Sequence, residues 1–130
     1  MRNIKGVTLL EMIIVMVIIG ILAGISLGAI DRVRERSQID ETMEELKRLG
    51  KAITGDPDLI ADGKRIDFGY VGDMGKLPDS LGALVNNEGG LWRGPYLKLD
   101  FIEDKESYKI DAWGKYYQYI PEDLTIRSFG

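Results

Sequence analysis

The side chain with the most unusual chemical setting in this sequence is the carboxylate of Glu11. Four uncharged residues, Val7–Leu10, precede it, and no charged residue occurs from Met12 to Ile30. A charged side chain at the centre of a bilayer costs about 2.5–3.5 kcal/mol, and less near its edge. Glu11 therefore needs a cationic partner or a function that offsets this cost.

The apolar stretch after Glu11 has the length of a membrane-spanning helix. At ~1.5 Å per residue, a helix over Met12–Ile30 is about 28 Å long, close to the thickness of one bilayer core. An ordinary secretory signal is one alternative, but cleavage after Ala29 would leave the large Leu27 two positions earlier, where a small residue is needed. An uncleaved anchor is a second alternative. Neither alternative accounts for Glu11.

The N-terminal residues Lys5-Gly6-Val7-Thr8-Leu9-Leu10-Glu11, followed by the apolar stretch, resemble the class III signal of type IV prepilins and type II secretion pseudopilins. The resemblance implies that a membrane peptidase cleaves between Gly6 and Val7 and N-methylates Val7. It also implies that Glu11 pairs with the new amine of a neighbouring subunit during assembly. In a medium of low dielectric constant each charge would neutralise the other. The family usually has phenylalanine where Val7 stands.

Three glycines in the apolar stretch, Gly20, Gly24 and Gly28, recur at every fourth residue. They would lie on one side of a helix, and small residues at this spacing let membrane helices approach closely. They also weaken the helix relative to alanine. We expect a packing face that can loosen, and the alternative is ordinary membrane-helix glycine. The family usually has proline where Gly28 stands.

Beyond the membrane-spanning stretch, apolar and charged residues alternate at helical spacing, which predicts an amphipathic continuation of the helix. The apolar positions are Ile30, Val33, Ile39, Met43, Leu46, Leu49 and Ile53. Gly55-Asp56-Pro57 is expected to stop the helix. The predicted organisation is a leader (1–6), a transmembrane half (7–30) and an amphipathic half (31–55) of one stem helix, and a loop-rich β domain (56–130).

The β domain is predicted to contain one short helix and several strands. The helix is expected at Asp79–Val85, with Asp79 as its N-cap. Strand signals are at Tyr96–Ile102, Tyr108–Ile110, Tyr116–Ile120 and Leu124–Phe129, the last two joined by a turn at Pro121-Glu122-Asp123. The predicted fold class is therefore α+β, a pilin-like arrangement in which a long N-terminal helix packs on a small antiparallel sheet.

The same domain carries a second resemblance, to the major (G-type) pseudopilin of type II secretion. It rests on Leu77–Leu81, Trp92–Leu97, Asp111–Gly114 and Tyr117–Tyr119, whereas residues 56–76 match poorly. That family has a calcium loop after its final strand, where this sequence ends at Gly130. We therefore expect no calcium there.

Two further groups of residues have a functional and a structural interpretation. Asp56, Asp58 and Asp62 with Gly63 weakly suggest a calcium loop, but Ile60 stands where Asp or Asn is required. The aromatic side chains suggest either a sugar-binding platform or, with greater weight, interior packing of a small sheet. They are Trp92, Trp113, Tyr116, Tyr117 and Tyr119.

The composition argues against several classes of function. The chain has 130 residues, a net charge of −4, no cysteine and no histidine. Thiol chemistry and disulfides are thereby excluded, and the commonest general base and zinc ligand is missing. No basic surface for nucleic acid is evident. We expect no enzyme activity, no catalytic residue, no cofactor and no metal.

We therefore expect a structural subunit of a type II secretion pseudopilus. It would be a single-pass protein of the inner membrane with its C-terminal domain in the periplasm, and the assembled filament would lie in the cell envelope. Its expected partners are further copies in a helical filament, the prepilin peptidase, the inner-membrane assembly platform and minor pseudopilins.

Two other functions and the opposite topology stay open. A type IV pilin for adhesion or motility is one alternative function, although such pilins commonly carry a disulfide. A membrane-anchored periplasmic binding module or hydrolase is the other. For the topology, three arginines after the span, Arg32, Arg34 and Arg36, outnumber Arg2 and Lys5 before it, so charge alone favours the reverse orientation.

Overall fold

The computed structural model describes residues 7–98 and 105–130, with the side chains of residues 26–28 excepted. Its helices are α1 (Leu9–Thr54) and α2 (Gly69–Met74), and its strands are β1 (Ile60–Ala61), β2 (Lys64–Arg65), β3 (Gln118–Ile120) and β4 (Thr125–Arg127). Both strand pairs are antiparallel. This confirms the α+β, pilin-like fold class. The chain divides into two compact units, Met1–Ser37 and Gln38–Gly130.

The first helix begins at a capped N-terminus and ends at a glycine. The hydroxyl of Thr8 accepts a hydrogen bond from the Glu11 amide (3.3 Å), and the Thr8 carbonyl accepts one from the Met12 amide (3.2 Å). Threonine is a favourable N-cap because its side chain satisfies an amide that has no partner within the helix. α1 ends at Thr54, and Gly55 follows with a positive φ of 82°.

The core of the C-terminal unit forms between the last turns of α1 and the segments that follow it. Leu49, Tyr70 and Leu84 are fully buried. The remaining buried apolar residues are Ala52, Ile53, Leu81, Ala83, Leu97, Tyr108 and Tyr117. The helix contributes its C-terminal turns to this core because Leu49, Ala52 and Ile53 recur on one side of it.

The apolar residues of the predicted amphipathic half of α1 are only partly buried. Leu49 and Ile53 are buried and Leu46 packs against the core, as expected. Ile39 and Met43, in contrast, are about half exposed. In the N-terminal unit, Ile30 and Val33 are exposed as well. The spacing identified helical residues, but the core is small and reaches only part of the helix.

Residues 59–66 form a β-hairpin that was not predicted. Ile60 pairs with Arg65 and Ala61 with Lys64, and the turn residues Asp62 and Gly63 both have positive φ angles (52° and 73°). Two successive positive φ angles define a type I′ turn, for which Asp-Gly is a favoured sequence. The segment considered as a weak calcium loop therefore contains a tight hairpin instead.

The base of this hairpin is held against the end of α1 by a close approach of two backbone segments. The Asp67 carboxylate accepts hydrogen bonds from the amides of Asp56 (2.9 Å) and Gly69 (3.0 Å). The Arg65 side chain donates to the carbonyls of Thr54 and Asp67. A Cβ atom on Gly55 would lie 2.6 Å from the carbonyl carbon of Phe68, so only glycine fits there.

The sheet of the β domain is smaller than predicted. The expected helix at Asp79–Val85 is a 3-10 turn, Leu81–Leu84, and Asp79 does not cap it. Residues 96–98 of the first expected strand are not in a strand, and residues 99–102 of it lie outside the described ranges. Glycine and proline are frequent before this segment, which disfavours regular strands.

The remaining three strand predictions are shortened or replaced. The segment predicted at Tyr108–Ile110 is a 3-10 turn over Ser107–Lys109, with one isolated bridge from Ile110 to Tyr116. The last two strands form as β3 and β4, with Tyr119 opposite Ile126, but cover only three residues each. The predicted turn between them is present as a 3-10 turn, Pro121–Asp123.

Candidate functional site

The N-terminal part of α1 is apolar on every side. The large apolar side chains from Leu9 to Ile25 are between 45% and 79% exposed. An 18-residue window of α1 has a mean hydropathy of 2.8 and is 0% buried. Among the described residues, this is the one helix long and apolar enough to cross a membrane. A helix that is apolar all round is stable only when a membrane or other helices cover it.

Glu11 interrupts this surface in the first turn of the helix. Its backbone amide donates to the Thr8 hydroxyl, and its side chain is exposed. Within residues 7–98 and 105–130, its carboxylate forms no hydrogen bond or ion pair with another side chain. The helix dipole favours a carboxylate at this position. The carboxylate is thus positioned by the helix start and available to a group outside the chain.

Thr8 and Glu11 together have the T-x-x-E spacing of a capping box, which sequence reasoning did not use. In a complete capping box the glutamate also accepts from the amide of the N-cap residue. Only the threonine half is formed here, between the Thr8 hydroxyl and the Glu11 amide. The helix start therefore needs Thr8 for capping, and it leaves the Glu11 carboxylate unused.

The predicted cleavage site is described only on one side. Val7 is 64% exposed and precedes the helix, whereas Gly6 lies outside the described residues. An exposed, non-helical residue next to the predicted cleavage site is accessible to a peptidase. The pairing of Glu11 with the Val7 amine of another subunit is an intermolecular prediction, and a single chain does not test it.

Two glycines of the apolar helix, Gly20 and Gly24, have no contacts among the described residues that require glycine. A Cβ atom on Gly20 or Gly24 would have no neighbouring atom within 4 Å. The surroundings of Gly28 lie outside the description. Because no contact in the described part of the chain explains Gly20 and Gly24, the packing face stays a prediction about contacts with other helices.

The C-terminal unit contains a second organised site, centred on Asp111. This residue is only 4% exposed. Its carboxylate accepts hydrogen bonds from the Ser128 hydroxyl and from the amides of Trp113 (3.0 Å) and Lys115 (2.8 Å). Burial alone would raise the pKa of Asp111, but these hydrogen bonds and the Lys115 charge outweigh it, so the pKa lies below its usual range.

The turn that contains Asp111 is attached to α1. The Ala112 amide donates to the Thr42 hydroxyl (3.2 Å), and the Gln38 side chain donates to the Ala112 carbonyl (3.1 Å). The Tyr117 hydroxyl donates to the Glu45 carboxylate (3.0 Å). These contacts join residues about 70 positions apart in the sequence and orient the C-terminal segment on the helix.

Glu45 differs from Asp111 in the direction of its pKa shift. Burial raises the pKa of Glu45, and the nearby carboxylates of Glu41 and Asp111 raise it further. The hydrogen bond from Tyr117 and the charge of Arg48 oppose this shift without cancelling it. The pKa values of the two carboxylates are therefore shifted in opposite directions.

The aromatic residues mainly pack inside the domain. Tyr96 makes edge-to-face contacts with Tyr70 (5.5 Å) and Trp92 (5.7 Å), and the Trp92 indole donates to the Ala83 carbonyl (3.0 Å). Tyr117 is buried. These contacts favour the packing interpretation over a sugar platform for Trp92 and Tyr117, whereas Tyr116 is 65% exposed.

The carboxylates once considered as calcium ligands have other roles. Asp56 pairs with Lys51 (2.8 Å) and accepts from the Asp58 amide (3.0 Å). Asp62 lies in the hairpin turn. In the part of the chain that the structure describes, no group of three or more acidic side chains is placed to hold a metal ion.

Comparison with known proteins gives two matches and one negative result. Residues 1–27 match the prokaryotic N-terminal methylation motif. The chain is 38% identical over 68 residues to the type IV major fimbrial protein of Dichelobacter nodosus. The matched segment covers 52% of this chain and 41% of the relative. No solved structure matches. The motif and the relative, taken with the apolar N-terminal helix and the small antiparallel sheets, make the chain similar to type IV pilin-like proteins.

Proposed function

We propose that this chain is a structural subunit of a type II secretion pseudopilus, a filament that polymerises from the inner membrane and drives protein export. The observation that carries the proposal is the apolar start of α1, whose only carboxylate, Glu11, has no side-chain partner among the described residues. Both the apolar surface and the carboxylate require contacts from outside the chain. A membrane, followed by a bundle of identical helices, supplies both.

Processing would create a positive charge that can pair with the Glu11 carboxylate. Cleavage between Gly6 and Val7 by the prepilin peptidase leaves a positive amine on Val7, which the same enzyme methylates. A subunit that enters the filament places this amine beside the Glu11 carboxylate of a neighbour. Either charge alone is costly in an apolar environment, so the pair favours addition of the next subunit over its isolation in the membrane.

The subunit would occupy the inner membrane as a single-pass protein with its C-terminal unit in the periplasm. In this topology the basic residues Arg2 and Lys5 stay in the cytoplasm with the leader. The assembly platform and minor pseudopilins would be its partners. The subunit would have no enzyme activity and would act mechanically, because the extruded filament pushes cargo outward.

A type IV pilin is the second candidate, and one observation favours it. The relative from Dichelobacter nodosus is itself named as a major fimbrial protein. The absence of cysteine favours the pseudopilus, because surface pilins commonly carry a disulfide. The two candidates share processing, membrane insertion and assembly, and they differ in where the filament ends and what it moves.

Deletion of the gene in its own host, with two readouts, separates these candidates. A pseudopilus subunit predicts that secreted proteins accumulate in the periplasm while surface pili are retained. A pilin predicts that surface fibres disappear while secretion continues. A binding module would leave both unchanged, and that result would contradict the proposal. Complementation with the intact gene is the control.

A further inference from the structure

Two arginines lie on one side of α1 in the N-terminal unit. Arg32 and Arg36 are four residues apart, so they are neighbours on the helix surface, and both are exposed. We call them the basic pair. The acidic residues of the same stretch, Asp31 and Glu35, lie on the adjacent row of the helix. In the described parts of the chain, neither arginine takes part in an ion pair.

Two acidic residues with the same spacing lie on α1 in the C-terminal unit. Asp40 and Glu44 are also four residues apart and exposed, and we call them the acidic pair. Thr42 and Leu49, which are buried in the core of this unit, lie on the opposite side of the helix. None of the ion pairs among the described residues involves Asp40 or Glu44. The acidic pair thus points away from its own domain.

We propose that the basic pair of one copy binds the acidic pair of a neighbouring copy, Arg32 with Asp40 and Arg36 with Glu44. The inference rests on the proposed filament function and names the surface that sets the offset between subunits. Positions 32 and 40, like positions 36 and 44, differ by eight residues. One axial offset of about 12 Å between parallel helices therefore forms both contacts.

Parallel, offset helices follow from the charges and from the membrane. Parallel copies without an offset would place Arg32 beside Arg32 and Asp40 beside Asp40, and like charges repel. Antiparallel copies would also match the charges, but they would point their apolar N-terminal segments in opposite directions. Subunits that enter from one membrane share one direction, so the offset parallel arrangement is the one that satisfies both conditions.

These contacts would select the offset more than they would hold the filament together. An exposed ion pair contributes little by itself and is weakened by salt, because the Debye length is about 8 Å at physiological ionic strength. Each interior copy, however, would use its basic pair toward one neighbour and its acidic pair toward another. A small preference is therefore repeated at every subunit of the fibre.

Charge reversal with mixing tests the inference in the full chain. One variant carries R32E and R36E, and the other carries D40K and E44K. Each variant alone places like charges at every interface, so we expect its filament yield to fall about ten-fold or more. In a mixture of the two, alternating copies place opposite charges at each interface, so the mixture should recover most of the wild-type yield. R34E, a reversal in the same stretch outside the pairs, is the control and should assemble normally.

The mixing result separates contacts between copies from contacts within one copy, because an ion pair within one chain would not be restored by a second variant. Normal assembly of either variant alone, or failure of the mixture when both variants keep a folded C-terminal unit, would overturn the inference. A wild-type chain that forms no filament would instead count against the proposed function.

Cross-linking gives a second measurement that needs no charge reversal. The chain has no cysteine, so introduced thiols are the only ones present. Oxidation of filaments that contain R36C and E44C copies should give disulfide-linked dimers. R36C with D40C would need an offset of four residues, about one helical turn less, and should give far fewer. Equal yields from both mixtures, or a higher yield from the second, would contradict the offset of eight residues.

Discussion

The Ser128 hydroxyl donates a hydrogen bond to the buried carboxylate of Asp111, and this contact attaches the C-terminal segment to the turn that binds α1. The Lys115 side chain supports the attachment by donating to the Phe129 carbonyl (2.6 Å). A carboxylate with three donors is thus the centre of the C-terminal unit. The stability of this unit should depend on its ionisation.

Replacement of Asp111 by Asn should destabilise the C-terminal unit by about 2–3 kcal/mol, because an uncharged amide cannot serve all three donors. The pKa of Asp111 is lowered in the folded state, so its stabilising contribution is present above the unfolded-state pKa and is lost as pH falls through the folded-state pKa. The wild type should therefore lose stability below about pH 4, and D111N should lose less. Thermal unfolding followed by circular dichroism between pH 2 and 7 measures both effects.

Ser128→Ala is the graded control for this experiment. It removes one donor and leaves the carboxylate charged, so we expect a loss of about 1 kcal/mol with the acid dependence retained. Equal stability of D111N and the wild type at pH 7 would mean that the Asp111 contacts do not stabilise the unit.

Replacement of Glu45 by Gln should stabilise the C-terminal unit at pH 7, unlike the replacement of Asp111. The pKa of Glu45 is raised by burial, so its contribution to stability is present below the unfolded-state pKa and is lost as pH rises through the folded-state pKa. Gln keeps an acceptor for Tyr117 without the charge. E45Q should therefore be more stable than the wild type at pH 7, and the difference should vanish near pH 4. A larger difference in stability between E45Q and the wild type at pH 4 than at pH 7 would contradict this prediction.

Replacement of Gly55 by Ala should detach the hairpin from the end of α1. The added methyl group would overlap the backbone of Asp67 and Phe68, and the φ of 82° disfavours any side chain, so the expected cost is about 2 kcal/mol or more. Gly63→Asn is the matched control, because it too has a positive φ but has open space around it. Amide hydrogen exchange of residues 59–68 should accelerate in G55A and not in the control. Unchanged exchange in G55A would show that the close approach is unimportant.

Replacement of Glu11 by Ala should abolish assembly and leave the C-terminal unit folded, because no described side chain contacts the Glu11 carboxylate. Filaments isolated from the cell envelope and counted by electron microscopy give the first readout, and circular dichroism of the extracted protein gives the second. Thr8→Ala is the control. It removes the cap at a cost of about 1 kcal/mol but keeps the carboxylate, so filaments should still form. Normal filaments from E11A would remove the assigned role of Glu11.

The features that sequence predicted well are local ones. The apolar run, the isolated Glu11 and the helix-stopping Gly55-Asp56-Pro57 each depend on residues close together in the chain, and α1 reflects all three. The hairpin was also readable, because Asp62-Gly63 is a favoured sequence for a type I′ turn. Its acidic residues led instead to a calcium interpretation.

The features that sequence did not predict depend on distant contacts. Asp111 acquires its role from Ser128 and from a turn whose amide reaches Thr42, about 70 positions earlier. No local pattern encodes that meeting. The strands were also overestimated, since the segment predicted as a strand at Tyr108–Ile110 contains a 3-10 turn over Ser107–Lys109.

Intact mass of the membrane-extracted chain, with and without the prepilin peptidase, tests the central claim most directly. With the peptidase we expect a loss equal to residues Met1–Gly6 and the addition of one methyl group on Val7. Without the peptidase, the full mass of the unprocessed chain should be recovered. An intact leader in the presence of the peptidase, or cleavage near Ala29, would contradict the account of this chain as a processed filament subunit.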